Sequence, residues 1–202
     1  MKFDNRFLLG FLALVFLNSC KKDDLIKEND TSVNKTDTVE IVDSVELPPR
    51  CDSRPETTMG IPHHQIGVEL VKEVNEELFR RVYSLPGIKN KPSVIANWRS
   101  LWLTDEVNVV VPEAVINGSR EFGHIHDDGS LHIFLEPNRA AEAVADCWGI
   151  NHPFAAQQTT GWDGFVLLYT PQSINELNVT FQLIVDGYNN ATGQNLLATD
   201  YY

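Results

Sequence analysis

Between Gly123 and Pro137 the chain reads GHIHDDGSLHIFLEP, with three histidines set around an Asp-Asp-Gly-Ser turn. This stretch limits the possible folds more than any other, because two alternating runs joined by a short glycine-containing turn specify a β-hairpin. Leu131, Ile133 and Leu135 alternate with His132, Phe134 and Glu136, and before the turn Gly123 and Ile125 alternate with His124 and His126. A slip of one residue inverts the sidedness of a whole strand, so the parity of the loop decides which residues share a face. An odd loop such as Asp128-Gly129-Ser130 pairs Ile125 with Ile133 and His126 with His132. An even loop, Asp128-Gly129 alone, puts His132 among the isoleucines. Burying several Leu and Ile side chains at roughly 1.5–3 kcal/mol each selects the odd loop. The expected core face is therefore Ile125, Leu131, Ile133 and Leu135, and the opposite, wet face carries His124, His126, His132 and Phe134, with His126 and His132 as cross-strand neighbours.

The flanks supply the rest of a domain. From Gln65, Ile66, Leu70, Val74, Leu78 and Val82 recur at helical spacing until Leu85-Pro86-Gly87. Extended segments are expected near Ser93–Leu103 and Val107–Val111. Pro137 suits the first turn of a helix whose apolar face holds Ala140, Ala141, Val144, Cys147 and Trp148, ending at Gly149. GFVLLYT at 164–170 reads as a buried strand, and Ser173-Ile174-Asn175-Glu176 is a capping box opening a last long helix with Ile174, Leu177, Phe181, Ile184, Val185 and Tyr188 facing inward. With no regular strand–helix alternation, the expected class is α+β, two-layer, an antiparallel sheet with helices packed on one face.

The chain begins MKFDNRFLLGFLALVFLNSC. The apolar run from Phe7 to Leu17 is shorter than the about 20 residues a membrane-spanning helix needs, but it suits a signal-peptide core. Leu17-Asn18-Ser19-Cys20 resembles a bacterial lipobox, which implies lipidation of Cys20 and a cell-envelope, outer-membrane location, periplasmic or surface-exposed. Lys21-Lys22-Asp23-Asp24 resembles the charged export signal of surface lipoproteins in the Bacteroidota. Residues 20–57 are polar and poor in large apolar side chains, and read as the lipidated cysteine plus a disordered tether. The organisation expected is thus a signal peptide at 1–19, the tether at 20–57 and one domain at 58–202. The formal net charge is −12, and losing Lys2, Arg6 and Asp4 with the leader makes the remainder more acidic. Such acidity argues against nucleic acid as a partner. The expected partners are the lipid bilayer through Cys20 and a small molecule or protein at the domain. Cys147 is expected as a buried, apolar thiol, with a bond to Cys51 as the alternative.

Three imidazoles on one face could bind a divalent metal, which makes His124, His126 and His132 the candidate ligands, with His152, Asp128 or Glu136 as a fourth. The same residues could instead line a metal-free binding or catalytic groove, or be structural. The cupin metal pattern fails midway, since Ser130 and Leu131 stand where its Glu belongs. No Gly-X-Ser-X-Gly elbow, Walker loop or dinucleotide fingerprint occurs. His63-His64 reads as the point where folding begins.

Several segments together carry a family resemblance: Pro62-His63-His64-Gln65, Ser84-Leu85-Pro86-Gly87, Glu121 to His132, Gly149-Ile150-Asn151-His152-Pro153, and Val166 to Pro171 before Glu176-Leu177. They resemble the luciferase-domain family of small bacterial and fungal proteins, over about residues 57–193. Gly123 stands where the family has Ala, Asn151 near a position usually acidic, and Gln172 where Arg is usual. The resemblance implies an α+β domain without implying light emission by this chain. The order of elements is also similar to the YjbR-like proteins.

Overall fold

The computed structural model describes residues 45–50, 53–96 and 99–202. The leader, Cys20, most of the expected tether, and Cys51 lie outside the described residues. The described residues form an α+β domain. In chain order its elements are β1 (Glu56–Thr57), β2 (Gln65–Ile66), α1 (Lys72–Val82), β3 (Ile88–Pro92), β4 (Arg99–Leu103), β5 (Glu121–Ile125), β6 (Leu131–Phe134), α2 (Pro137–Ala145), β7 (Gly149–Asn151), α3 (Pro153–Ala156), β8 (Phe165–Leu168) and α4 (Ile174–Thr192). Six strands make one antiparallel sheet in the order β3-β4-β5-β6-β8-β7, and β1 and β2 pair separately.

Ile125, Leu131, Ile133, Leu101, Val166 and Leu168 occupy one face of this sheet and are almost fully buried. Helix α4 lies across that face and comes closest at Gly187, where a Cβ would stand 2.6 Å from the Phe134 carbonyl oxygen and 2.9 Å from the Ile133 side chain. Only glycine allows this approach. Helix α1 joins α4 through Arg81, which donates to Asn178 Oδ1 at 2.8 Å, and α2 joins it through Arg139, which donates to Asp186 Oδ2 at 2.7 Å. The capping box is half formed, with Ser173 Oγ accepting from the Glu176 amide at 3.2 Å. The carboxylate of Glu176 turns instead to the Gln172 amide and to Arg50.

Several expectations need correction. Helix α1 starts at Lys72, because Gly67 adopts a φ of +71° and Ile66 sits exposed in β2. The strands before the hairpin are β3 and β4, whereas Val107–Val111 is not a strand. The amides of Val110 and Val111 both donate to the Ala191 carbonyl, closing the end of α4 instead of joining the sheet. Helix α2 ends at Ala145; Ala140 and Ala143 form its buried side, while Ala141 is exposed. Cys147 follows the helix in a left-handed conformation (φ 66°), half-buried, with Arg54 Nε donating to its sulfur at 3.4 Å.

The last part of the expected tether is also folded against the domain. Leu47 belongs to the core, its amide donates to Glu142 Oε1 at 3.1 Å, and Trp148 Nε1 donates to the Pro48 carbonyl at 2.7 Å. Arg50 pairs with Glu176 at 3.1 Å and lies over the Trp148 and Tyr169 rings. Among the described residues no helix is long and apolar enough to cross a membrane.

Candidate functional site

The second face of the sheet is built from the other half of the same alternation. His124 and His132 are direct partners across β5 and β6, and Ile125 faces Leu131. The expected parity and sidedness are present, but the register differs by two residues, so His124 rather than His126 opposes His132. The connection is a three-residue loop, Asp127-Asp128-Gly129, with the His126 amide donating to the Ser130 carbonyl at 2.8 Å and the Gly129 amide to the His126 carbonyl at 3.1 Å. Gly129 takes the left-handed conformation (φ 81°) that this turn-plus-bulge loop requires.

The face is not wet. His63, His124, His126, His132 and His152 are all at least nine-tenths buried. Three features cover them. The segment joining β1 to β2 lays His63 over His132, rings stacked at 5.3 Å. It is pinned by Gln65, whose side-chain amide donates to Thr170 Oγ1 and whose carbonyl oxygen accepts from the Thr170 amide. His152 caps α3, with its Nδ1 accepting from the Phe154 amide at 3.2 Å, and stacks on Trp162 at 5.5 Å. Phe165 stacks against His132 at 5.3 Å and closes the side toward Phe134.

Hydrogen bonds fix how the imidazoles point. His124 Nδ1 lies 2.9 Å from Glu121 Oε1. That carboxylate, wholly buried, also accepts from Ser93 Oγ and from the Val94 amide, both at 2.7 Å. Its place on this face follows from an irregularity in β5, where the register shifts between Leu101 and Trp102 and sets Glu121 against Trp102. A β-bulge of this kind re-aims a side chain. His126 Nδ1 lies 2.9 Å from Ser130 Oγ, which donates to Asp128 Oδ1 at 2.7 Å. The remaining nitrogens converge: His132 Nδ1 stands 3.1 Å from His126 Nε2 and 3.2 Å from His124 Nε2, while His132 Nε2 stands 3.1 Å from His63 Nδ1. Two trios therefore have nitrogens close enough to share an ion, His124/His126/His132 and His63/His132/His152.

Burial, reinforced by neighbouring imidazoles, pushes His126 down to about 3 and His132 well below its ordinary pKa. His63 and His152 are lowered to about 4, again chiefly by burial. All four are neutral at pH 7. Such weakly basic imidazoles make poor general bases but good hydrogen-bond partners and metal ligands.

Beside the cluster lies a cavity of about 270 Å³, lined by His63, His124, His132 and His152 and by Ile61, Pro62, Ile95 and Ala96. Ile61 and Ile95 line it yet remain 62% and 43% exposed, so the mouth is apolar.

Of the residues expected at a site, His124, His126, His132 and His152 come together. Asp128 stays one hydrogen bond behind His126. Glu136 is elsewhere: it is exposed and caps α2, accepting from the Asn138 and Arg139 amides at 2.9 and 3.1 Å. His63 and Glu121 belong to the cluster without having been expected there. A histidine pair beside a proline just before the first helix was the sequence signal for His63. Glu121 heads a segment that carries the family resemblance, but nothing in the alternation turns it toward the histidines, since the bulge that does so has no pattern of its own. Asn151 and Gln172, where the family pattern is departed from, are both exposed.

This histidine-faced α+β domain has recognisable relatives. Residues 119–185, which run from β5 into α4, match the family model described as Luciferase domain. A protein named Luciferase from Armillaria ostoyae is 29% identical over 159 residues, covering 69% of this chain and 59% of that protein. A Luciferase from Neonothopanus nambi is 29% identical over 91 residues, 42% of this chain and 33% of that one. The chain thus spans only part of the length of these relatives. No solved structure matches it.

Proposed function

We propose that this protein is an envelope lipoprotein, anchored through a lipidated Cys20, whose luciferase-like domain binds a small, mostly apolar molecule in the histidine-lined cavity. The observation that carries the binding reading is the union of a buried imidazole cluster with an open cavity whose lip is aliphatic. Small-molecule sites combine apolar walls with a few placed polar groups in this way. With Nδ1 of His152 accepting from a backbone amide, its neutral ring carries the proton on Nε2, which suits a ligand bearing a carbonyl, phenolate or carboxylate oxygen. The test is a thermal-shift titration of the full chain in detergent with a panel of planar aromatic phenols and carboxylates. A binder raises the midpoint with concentration in the wild type and not in His152→Ala. No response to any member of the panel contradicts the reading. Anchoring is checked by fatty-acid labelling, which Cys20→Ser abolishes.

A second reading, a hydrolase or oxygenase using the same histidines, is favoured by one finding: both similar proteins bear the name of an enzyme. His63, His126, His132 and His152 are too weakly basic to drive proton abstraction near neutral pH. Catalysis through those four would need an added electrophile or a bound cofactor.

A further inference from the structure

Proton placement separates the two histidine trios. A neutral imidazole offers one N–H and one lone pair, and the hydrogen-bond network assigns which nitrogen holds which. A carboxylate accepts, so a neutral His124 donating to Glu121 carries its proton on Nδ1 and its lone pair on Nε2. Ser130 spends its hydroxyl proton on Asp128, so it accepts from His126 Nδ1, and the lone pair of His126 is also on Nε2. Both lone pairs therefore face the same atom, His132 Nδ1, at 3.2 and 3.1 Å. A single N–H at that position aligns well with one of them, not both. If His132 instead carries its proton on Nε2, it donates to His63 Nδ1 at 3.1 Å and presents a third lone pair to the same point.

We infer that His124 Nε2, His126 Nε2 and His132 Nδ1 form a three-histidine site for a divalent first-row transition metal of the zinc class. Two of the three nitrogen pairs have the spacing of ligands about 2.0–2.1 Å from a tetrahedral zinc, roughly 3.3 Å, and all three nitrogens lie within 4.8 Å of one another. The outer contacts fit as well, since each ring gives its other N–H to a built partner, Glu121 to His124, Ser130 backed by Asp128 to His126, and His63 to His132. Carboxylates and hydroxyls placed behind ligating histidines orient the rings and raise their basicity. The other trio fails on the same count, because His152 spends its Nδ1 lone pair on the Phe154 amide, which leaves its neutral ring only an N–H at Nε2. Three protein ligands leave a coordination position open, and His124 and His132 also line the cavity, so a bound metal would stand beside the proposed small-molecule pocket. The metal would be the electrophile that the imidazoles alone do not supply. The site thus rests on the cavity reading for its role, though not for its existence.

The experiment uses the full chain in detergent, stripped with chelator and titrated at pH 7.5 with Zn²⁺ by calorimetry and with Co²⁺ by visible absorption. Expected are one metal per chain and a Co²⁺ spectrum of four-coordinate type. His126→Gln should lose the site, and Glu121→Gln should weaken it 10–100-fold while far-ultraviolet circular dichroism stays native. His152→Ala should change metal affinity by less than about threefold, because it is not a ligand. Absence of stoichiometric binding by the folded wild type overturns the inference, as does binding that survives His126→Gln or is lost equally in His152→Ala. Since His152→Ala removes ligand response but spares metal, failure of the pocket reading and failure of the metal site give different results.

Discussion

The two faces of the β5–β6 hairpin are made of alternate residues of the same short sequence, yet they are held in opposite ways. On the helix-covered face Ile125, Leu131 and Ile133 interdigitate with α4, and the contact is non-directional burial. On the other face His124, His126 and His132 are just as buried, but each is held by directed hydrogen bonds to a named acceptor. Burying polar rings is costly unless they are satisfied, so a face of this composition stabilises the fold little and instead fixes geometry. The comparison teaches that burial by itself does not distinguish core from site here; the kind of partner does.

The largest effect should come from breaking the aliphatic face. Ile133→Ala removes side-chain volume beneath α4 and should cost about 2–5 kcal/mol in urea denaturation, with the histidine network intact in whatever protein remains folded. Next is pH, which acts on the other face. The histidines there have folded pKa values below their unfolded ones, about 4 for His63 and His152 and about 3 for His126. Below about pH 6.5 the unfolded chain takes up protons that the folded chain refuses, so stability falls as pH drops. The metal-free protein should lose stability from pH 6.5 toward pH 4 in denaturant titrations, a slope that a variant with these three histidines replaced should lack.

Smaller again is Glu121→Ala, which strands the donors of Ser93, Val94 and His124. A loss of about 1–3 kcal/mol is expected, and unlike Ile133→Ala it should abolish the ordering of the His124 ring. The smallest is Glu136→Ala, which removes a helix cap worth about 1 kcal/mol and should leave ligand response unchanged. A Glu136 variant that lost ligand response at unchanged stability would place the site differently.

Sidedness was legible in the sequence because parity is all it needs, and burial of Leu131 and Ile133 settles parity. Register was not, because loops of equal parity bury the same residues, and the choice between His124 and His126 as partner of His132 falls to Gly129 and the turn. The covering of the histidine face was hidden for a different reason. His63 reaches His132 only because Gln65 clasps Thr170, a contact between residues far apart in sequence. Helix boundaries at Gly67 and Cys147 were misplaced where local conformation overrode an apolar period.

The account's central claim is that His124, His126 and His132 turn their lone pairs toward one another and their N–H groups outward. Nitrogen-15 NMR of the histidine side chains in metal-free protein at pH 7.5 reads this directly. The account predicts a proton on Nδ1 and none on Nε2 in His124 and His126, and a proton on Nε2 alone in His132. A proton on Nε2 of His124 or His126, or a doubly protonated ring among the three, would contradict it.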